Sequence, residues 1–399
     1  MTTQPLQVGP SVEKTSAGDW RVKPTPIWLK MWRSRISYIM LLPFLVPFVV
    51  FVIIPLFQSA VVSFYDYSAV KADVAEFVAT NNYTNLLSLE IKQQPSLFED
   101  GSRVFQCGRK KLPEAEVVDY ETKEGKSCEP AFARARDVLT EGFSEWKSLS
   151  LFGTQYLIGA TDARFWTSII NTIAFAFWTV VGRLILGLMI ALILQRQTKL
   201  NYFLRMIFFL PSVTASIAVT VVWGWIFKGQ SYGLINYLLL QTGLVSEPIS
   251  FLNDANWTMP ILIFMTIWGG IGYNMILFLA GLQNINPELY EVAAIDGADS
   301  WMVFRKITWP LLRPTTVYVV ITSVIGAFQV FESIYILFSS TEGIGGVLDS
   351  GLAVVPYLYE NGFGLFRMGY ASAIAWILFA IIFVLTLINL RVGRADEAY

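Results

Sequence analysis

The chain has 399 residues, 54% hydrophobic and 15% charged, with a formal net charge of −1. A soluble domain carries roughly 25% charged residues, so the deficit points to a bilayer, and near-neutral charge excludes a nucleic-acid partner, which needs a basic surface. There is no histidine and there are only two cysteines, which removes the commonest general base and metal ligand and leaves too few thiols for an unaided structural zinc site.

Residues 1–26 are polar and carry Pro5, Pro10, Pro24 and Pro26, a composition that reads as a disordered cytoplasmic tail. Residues 28–35 are aromatic and basic and fit an interfacial lead-in helix, so that 1–35 form one region. The first membrane helix is expected over 36–64, kinked by Pro43, Pro47 and Pro55. It is too long for a signal-peptide core and no small-residue cleavage site follows, so it reads as a retained span.

Residues 65–164 are too many for a bare connector. They mix charge with Phe, Leu, Tyr and Trp, which predicts a small folded subdomain outside the membrane. Cys107 and Cys128 both lie there. A disulfide and two unrelated thiols both remain open, and the shared external segment favours the bridge. Gly125-Lys126-Ser127 imitates the end of a phosphate-binding loop, but Tyr120 stands where that pattern requires glycine.

A membrane helix needs about 20 mostly apolar residues, and five more such runs follow at 165–194, 206–227, 257–285, 315–338 and 369–390. They make a core over 165–392, with a tail at 393–399. Basic residues cluster before the first span, at Arg196, Lys199 and Arg205, at Arg305, Lys306 and Arg313, and at Arg391 and Arg394. The alternate connectors 228–256 and 339–368 are poorer in Lys and Arg. By the positive-inside rule both termini and the 286–314 connector are cytoplasmic.

That connector is a polar island rich in small residues. Pro287 and Glu288 suit the first turn of a helix. Ala293, Ala294 and Ala298 are small, Gly297 ends or bends the helix, 301–307 reads as a second short helix, and Pro310 and Pro314 lead into the fifth span. An ordinary amphipathic connector is the plain alternative. Against it stands a long gapped pattern in which Glu291, Ala294, Asp296, Gly297, Ala298, Phe304, Ile307, Pro310 and Pro314 fall in register. The pattern resembles the cytoplasmic "EAA" loop of ABC importer permeases in its sugar-permease form, with Val292 departing at the first Ala position. Asn171-Thr172, Leu210-Pro211, Gly233-Leu234-Ile235-Asn236, Ala280-Gly281-Leu282-Gln283 and Gly369-Tyr370-Ala371-Ser372-Ala373 extend the resemblance over 36–64 and 165–392. The type is the first permease subunit of maltose and α-glucoside systems. Ser340 to Gly346 replace the Thr-x-Gly-Gly-Pro that the family often has after span five.

The resemblance implies an all-α membrane protein of six transmembrane helices, the type I importer permease fold, with an external insert between spans one and two. It implies a bacterial or archaeal cytoplasmic (inner) membrane protein that is no enzyme and holds no cofactor. Its partners would be a second homologous permease, two ATPase subunits that bind ATP and Mg, and an extracellular or periplasmic solute-binding protein. The loop at Glu291, Ala293, Ala294, Asp296, Gly297 and Ala298 would couple to the ATPase, and a sugar would cross by alternating access. Trp268, Gly270, Tyr273 and Ser323 fall where the maltose permease lines its sugar site, and Asn274 and Gln329 lie nearby. The alternative for each is packing or interfacial anchoring.

Arg183 and Glu332 are ionisable groups inside apolar runs. Each would cost roughly 2.5–3.5 kcal/mol if it faced lipid. Glu332 on the substrate route, a buried Arg183–Glu332 pair, and a network with Asn171 or Gln329 all answer that cost. With Arg183 alone available to hold a phosphate ester, a neutral di- or oligosaccharide is favoured over a glycerol phosphate or polyol. An ion-driven secondary transporter would show half-to-half repeats, and a membrane enzyme would need a catalytic constellation; neither is found.

Overall fold

Hydrophobic runs fold into long helices here because nothing in a bilayer can satisfy a bare backbone. A computed structural model describes residues 12–14, 20–22, 35–70, 75–99, 102–125, 127–151, 154–338 and 343–394. It divides into two units, Met1–Val61 and Val62–Tyr399.

In the first unit, β1 (Val12–Lys14) and β2 (Trp20–Val22) pair antiparallel. The expectation of a tail without structure is corrected at those six residues. The expected lead-in helix falls mostly outside the described residues, and α1 begins at Arg35. The first span is α1 (Arg35–Phe48), a π-helical turn at Val49–Ile53, and α2 (Ile54–Val62). Pro43 and Pro47 lie inside α1. Pro55 removes one more donor just after the wide turn, where the ladder is already interrupted.

The second unit opens with the insert, which mixes short strands and short helices. In order come β3 (Tyr65–Asp66), β4 (Glu76–Phe77), α3 (Asn81–Leu87), β5 (Leu89–Gln94), β6 (Phe98–Glu99), β7 (Ser102–Cys107), β8 (Lys110–Pro113), α4 (Glu114–Glu124), β9 (Glu129–Pro130), α5 (Ala135–Val138), β10 (Ser144–Leu151) and β11 (Thr154–Ala160). Strands β10, β11 and β5 form one antiparallel sheet, and β7 is flanked by β6, β8 and β9 in another. The Cys107–Cys128 disulfide closes the second sheet, with Cα atoms 4.4 Å apart. Asn82 Nδ2 donates to the carbonyls of Ser63 (2.9 Å) and Tyr65 (3.1 Å), tying α3 to the chain leaving α2. Gly125 ends α4 with φ +64°. It therefore closes a helix, where a phosphate loop would open one.

The membrane core runs α6 (Ala163–Leu194), α7 (Lys199–Val213), α8 (Ser216–Ile226), α9 (Leu234–Gln241), α10 (Ala255–Gln283), α11 (Glu288–Ile295), α12 (Ser300–Val303), α13 (Trp309–Leu311), α14 (Arg313–Phe328), α15 (Glu332–Phe338), α16 (Val354–Tyr359) and α17 (Met368–Arg394). Among the described residues, five helical stretches are long and apolar enough to cross a membrane, and α7 with α8 makes a sixth, bent by 94°. The third span, expected over 206–227, is thus an elbow. Pro211 lies inside α7, and α8 starts at Ala215 without a side-chain cap. The fifth span breaks at Gln329 before α15 begins at Glu332.

Helix α10 packs against α6 and α7 through small residues. A Cβ on Gly187 would meet that of Asn274 at 2.8 Å, and one on Gly272 would meet the Phe208 carbonyl oxygen at 2.1 Å. Such contacts let membrane helices approach closely. One buried cluster gathers Phe165, Phe175, Leu262, Phe338 and Ile374; a second gathers Leu188, Leu194, Met275, Phe278, Leu282 and Leu312.

Candidate coupling surface and translocation path

Helix α11 is built as a short peg. The Asn286 carboxamide oxygen accepts from Glu288 N at 3.0 Å, and Glu288 and Glu291 place negative charge in the first turn. At the other end Ala298 N donates to the Ala293 carbonyl (2.9 Å) and Gly297 N to that of Ala294 (3.2 Å). With Gly297 at φ +71° this is a Schellman cap. The next residues restart the chain, as the Asp299 carboxylate accepts from Met302 N at 2.8 Å. The expected second helix is shorter than the sequence suggests, because 304–308 form a π-helical turn.

Two contacts seat the peg. Tyr290 and Phe304 pack on the second cluster, and the hydroxyls of Tyr290 and Thr308 lie 3.2 Å apart. Ala293 is buried beneath the helix, while Glu291, Val292, Ala294, Asp296 and Gly297 are exposed and Ala298 is half-buried. The outward face is apolar at its crest: Val292 is 55% and Ile295 85% exposed.

The substrate-path residues divide. Asn274 and Ser323 are both buried, and the Asn274 amide donates to Ser323 Oγ at 3.4 Å. Trp268 lies edge-on to Trp223 at 5.4 Å. Tyr273 is exposed. Gln329 is exposed at the break after α14. Gly270 has a structural reason, since a Cβ there would lie 2.2 Å from Arg183 Nε.

Arg183 and Glu332 form no pair, and neither joins Asn171 or Gln329. Arg183 donates Nε (2.9 Å) and Nη2 (2.6 Å) to the Thr266 carbonyl. The Glu332 carboxylate accepts from Ser216 Oγ, and Asn171 donates to the Asp349 carbonyl at 2.9 Å. The helix elbow explains the separation, because it puts Ser216 at the carboxylate first.

Two cavities follow the groove between α8 and α15. One of about 190 Å³ is lined by Arg183 with Ser212, Ser216, Thr220, Thr266 and Ser333. The other, of about 390 Å³, is lined by Trp225, Lys228, Gln230 and Asn253 with apolar Leu252 and Leu337. Sequence reasoning missed this groove. Its one signal is polar Ser216 and Thr220 four apart in an apolar helix, which places both on one face.

A chain of bent and straight spans, with a capped peg on one connector and polar cavities between helices, defines a membrane transport permease. Residues 183–395 match the family described as binding-protein-dependent transport system inner membrane component. The chain is 34% identical over 246 residues to the arabinooligosaccharides transport system permease protein AraP of Bacillus subtilis (strain 168), covering 61% of this chain and 77% of AraP. It is 34% identical over 250 residues to the lactose transport system permease protein LacF of Rhizobium radiobacter, covering 62% and 82%. A chain from the crystal structure of a bacterial ABC transporter involved in the import of the acidic polysaccharide alginate superposes with a TM-score of 0.61. That match is 19% identical and covers 93% of this chain and 99% of that one; at that identity the likeness bears on fold alone. The chain belongs to the binding-protein-dependent transport system inner membrane component family, and is a multi-pass inner-membrane permease subunit of an ABC transporter.

Proposed function

We propose that this chain translocates a di- or oligosaccharide by alternating access, driven by ATP that separate subunits hydrolyse. The reading is carried by one observation. Helix α11 is capped at both ends, seated on the core through Tyr290 and Ala293, and left with an apolar crest at Val292 and Ile295 facing outward. A peg of this kind transmits displacement to the spans only if another protein grips its crest.

The partners on this reading are a second homologous permease, two ATPase subunits that hold ATP and Mg, and an external solute-binding protein. Both termini and α11 lie on the cytoplasmic side, where the basic residues cluster. The sugar assignment draws on the relatives, whose names specify arabinooligosaccharides and lactose. ATP binding shifts the spans only by its differential affinity for the closed ATPase dimer. Within this chain the residues Trp268, Tyr273, Asn274, Ser323, Gln329 and Glu332 are candidates for the path.

The test is reconstitution with the cognate ATPase, second permease and binding protein in proteoliposomes. Sugar-dependent ATPase activity that disappears without the binding protein is expected. Uptake driven by an ion gradient with no ATPase present would overturn the reading. A response confined to polyols or glycerol phosphate would keep the transporter and change its cargo.

A further inference from the structure

We infer that the groove between α8 and α15 is a saccharide subsite built for a carboxylate, so that the sugar this permease carries is acidic, a uronate-containing oligosaccharide. The inference rests on the permease reading and narrows its substrate.

The inner cavity holds one charge of one sign. Arg183 spends Nε and one Nη2 proton on a single carbonyl, and a guanidinium carries five N–H donors. Among the described residues no carboxylate forms an ion pair with it. The other polar lining is hydroxyl: Ser212, Ser216, Thr220, Thr266 and Ser333. Hydroxyls and a forked cation together match a sugar ring bearing a carboxylate, which the fork can grip bidentately. Gly270 is the third part of the device, since any side chain there would displace the guanidinium.

The outer cavity repeats the chemistry. Lys228, whose ammonium lies 5.4 Å from the centroid of the Tyr232 ring, faces the same space as the Trp225 indole and the amides of Gln230 and Asn253. An aromatic face beside amides suits a pyranose ring, and about 390 Å³ falls within the roughly 300–1,000 Å³ of small-molecule sites. The two cavities adjoin: Thr220 and Ser333 line the inner one, and Val221 and Ile336 the outer. Thr220 Oγ1 donates to Ser333 Oγ at 3.4 Å between them. Among the described residues no acidic one lines either cavity. The acidic residues adjacent in sequence are Glu332, exposed and engaged by Ser216, and Asp254, whose carboxylate accepts from Asn256 N at 2.9 Å. Counting Arg183 alone favours a neutral sugar; Lys228 on the same groove reverses that preference.

The test uses the complete transporter in nanodiscs without its binding protein, and compares a trigalacturonate with its methyl ester by saturation-transfer NMR. The ester keeps the rings and removes the charge. The acid is expected to bind about tenfold tighter, the worth of one charge-assisted hydrogen bond. Arg183→Gln should abolish that preference, and Lys228→Gln should reduce it. Equal binding of acid and ester, no binding of either, or a preference that survives both basic substitutions overturns the inference. If the binding-protein-dependent ATPase still answers to a neutral sugar, the permease reading stands; if it answers to no sugar, that reading falls separately.

Discussion

Ala293 and Ala294 are neighbours with opposite surroundings, and that difference separates folding from docking. Ala293 is 7% exposed beneath α11, so Ala293→Leu overpacks the seat, typically at ~1–3 kcal/mol. Ala294 is exposed and its side chain meets no core. Ala294→Leu should therefore leave the thermal midpoint of the purified chain unchanged while lowering sugar-stimulated ATPase in the reconstituted complex. Ala293→Leu should lower both. Equal midpoints for the two variants, read by intrinsic fluorescence in detergent, would contradict the burial argument. Gly297 adds a backbone test. At φ +71° an alanine costs about 1–2 kcal/mol, and nothing lies within 4 Å of its Cβ position. The expected loss is thus conformational, and Gly297→Asn, which tolerates the left-handed region, should retain more coupling than Gly297→Ala.

At the scale of elements, the insert carries its own pH response. The Glu90 carboxylate on β5 accepts from Thr140 Oγ1 (2.6 Å) and Thr140 N (2.9 Å), and pairs with Lys92 at 2.9 Å. These hydrogen bonds, the Thr140 side chain's foremost, hold its pKa down at about 2. A depressed carboxylate stabilises the fold above the unfolded value of ~4.3 and loses that contribution as pH falls toward the folded value. Amide exchange in β5 and around Thr140 should accelerate between about pH 4.3 and pH 2, and Glu90→Gln should flatten the response. Reduction of Cys107–Cys128, which spans 21 residues, should destabilise the insert by about 3 kcal/mol on the chain-entropy argument. The disulfide was accessible to sequence reasoning because both thiols share one segment. The strands around it were not, since β5 and β11 pair across some sixty intervening residues and short runs give no lasting period. Helix α11 was legible from Pro287, Glu288 and Gly297, which punctuate it locally. The bend in the third span was not legible because hydropathy reports length and composition, while the 94° elbow depends on Pro211 and an uncapped start at Ala215.

Across the second unit, α6 joins the two ends of the core. Its last turns, at Leu188, Ala191 and Leu194, belong to the cluster that seats α11 through Tyr290. Its start is clamped to the segment before the last span and to the first turn of that span. The Asp162 carboxylate accepts from Phe165 N (2.9 Å), Tyr357 Oη (2.6 Å) and Tyr370 Oη (2.5 Å). Burial first, then Asp162, raises the Tyr357 hydroxyl well above its ordinary value, so it stays a donor. Arg164 binds Asp349 through Nε (2.8 Å) and Nη2 (2.9 Å) and reaches Glu360 at 3.0 Å. Leu348 and Asp349 adopt φ of +54° and +55°, a conformation costing about 1–2 kcal/mol per residue, which the Arg164 fork helps to hold. The helix spans 32 residues, about 1.5 Å each, so a clamp at one end and a peg at the other are linked by one rigid element. Arg164→Ala leaves two carboxylates beside each other without their cation. The pair is partly exposed, so the direct loss is on the order of 1 kcal/mol. Hydrogen exchange over 343–364 should rise several-fold, and basal ATPase without sugar should rise with it, because the resting arrangement loses a restraint its active counterpart need not share. Arg164→Lys, which keeps the charge and loses the fork, should fall between. Faster exchange with unchanged basal ATPase would mean that the clamp organises the loop without biasing the transport cycle.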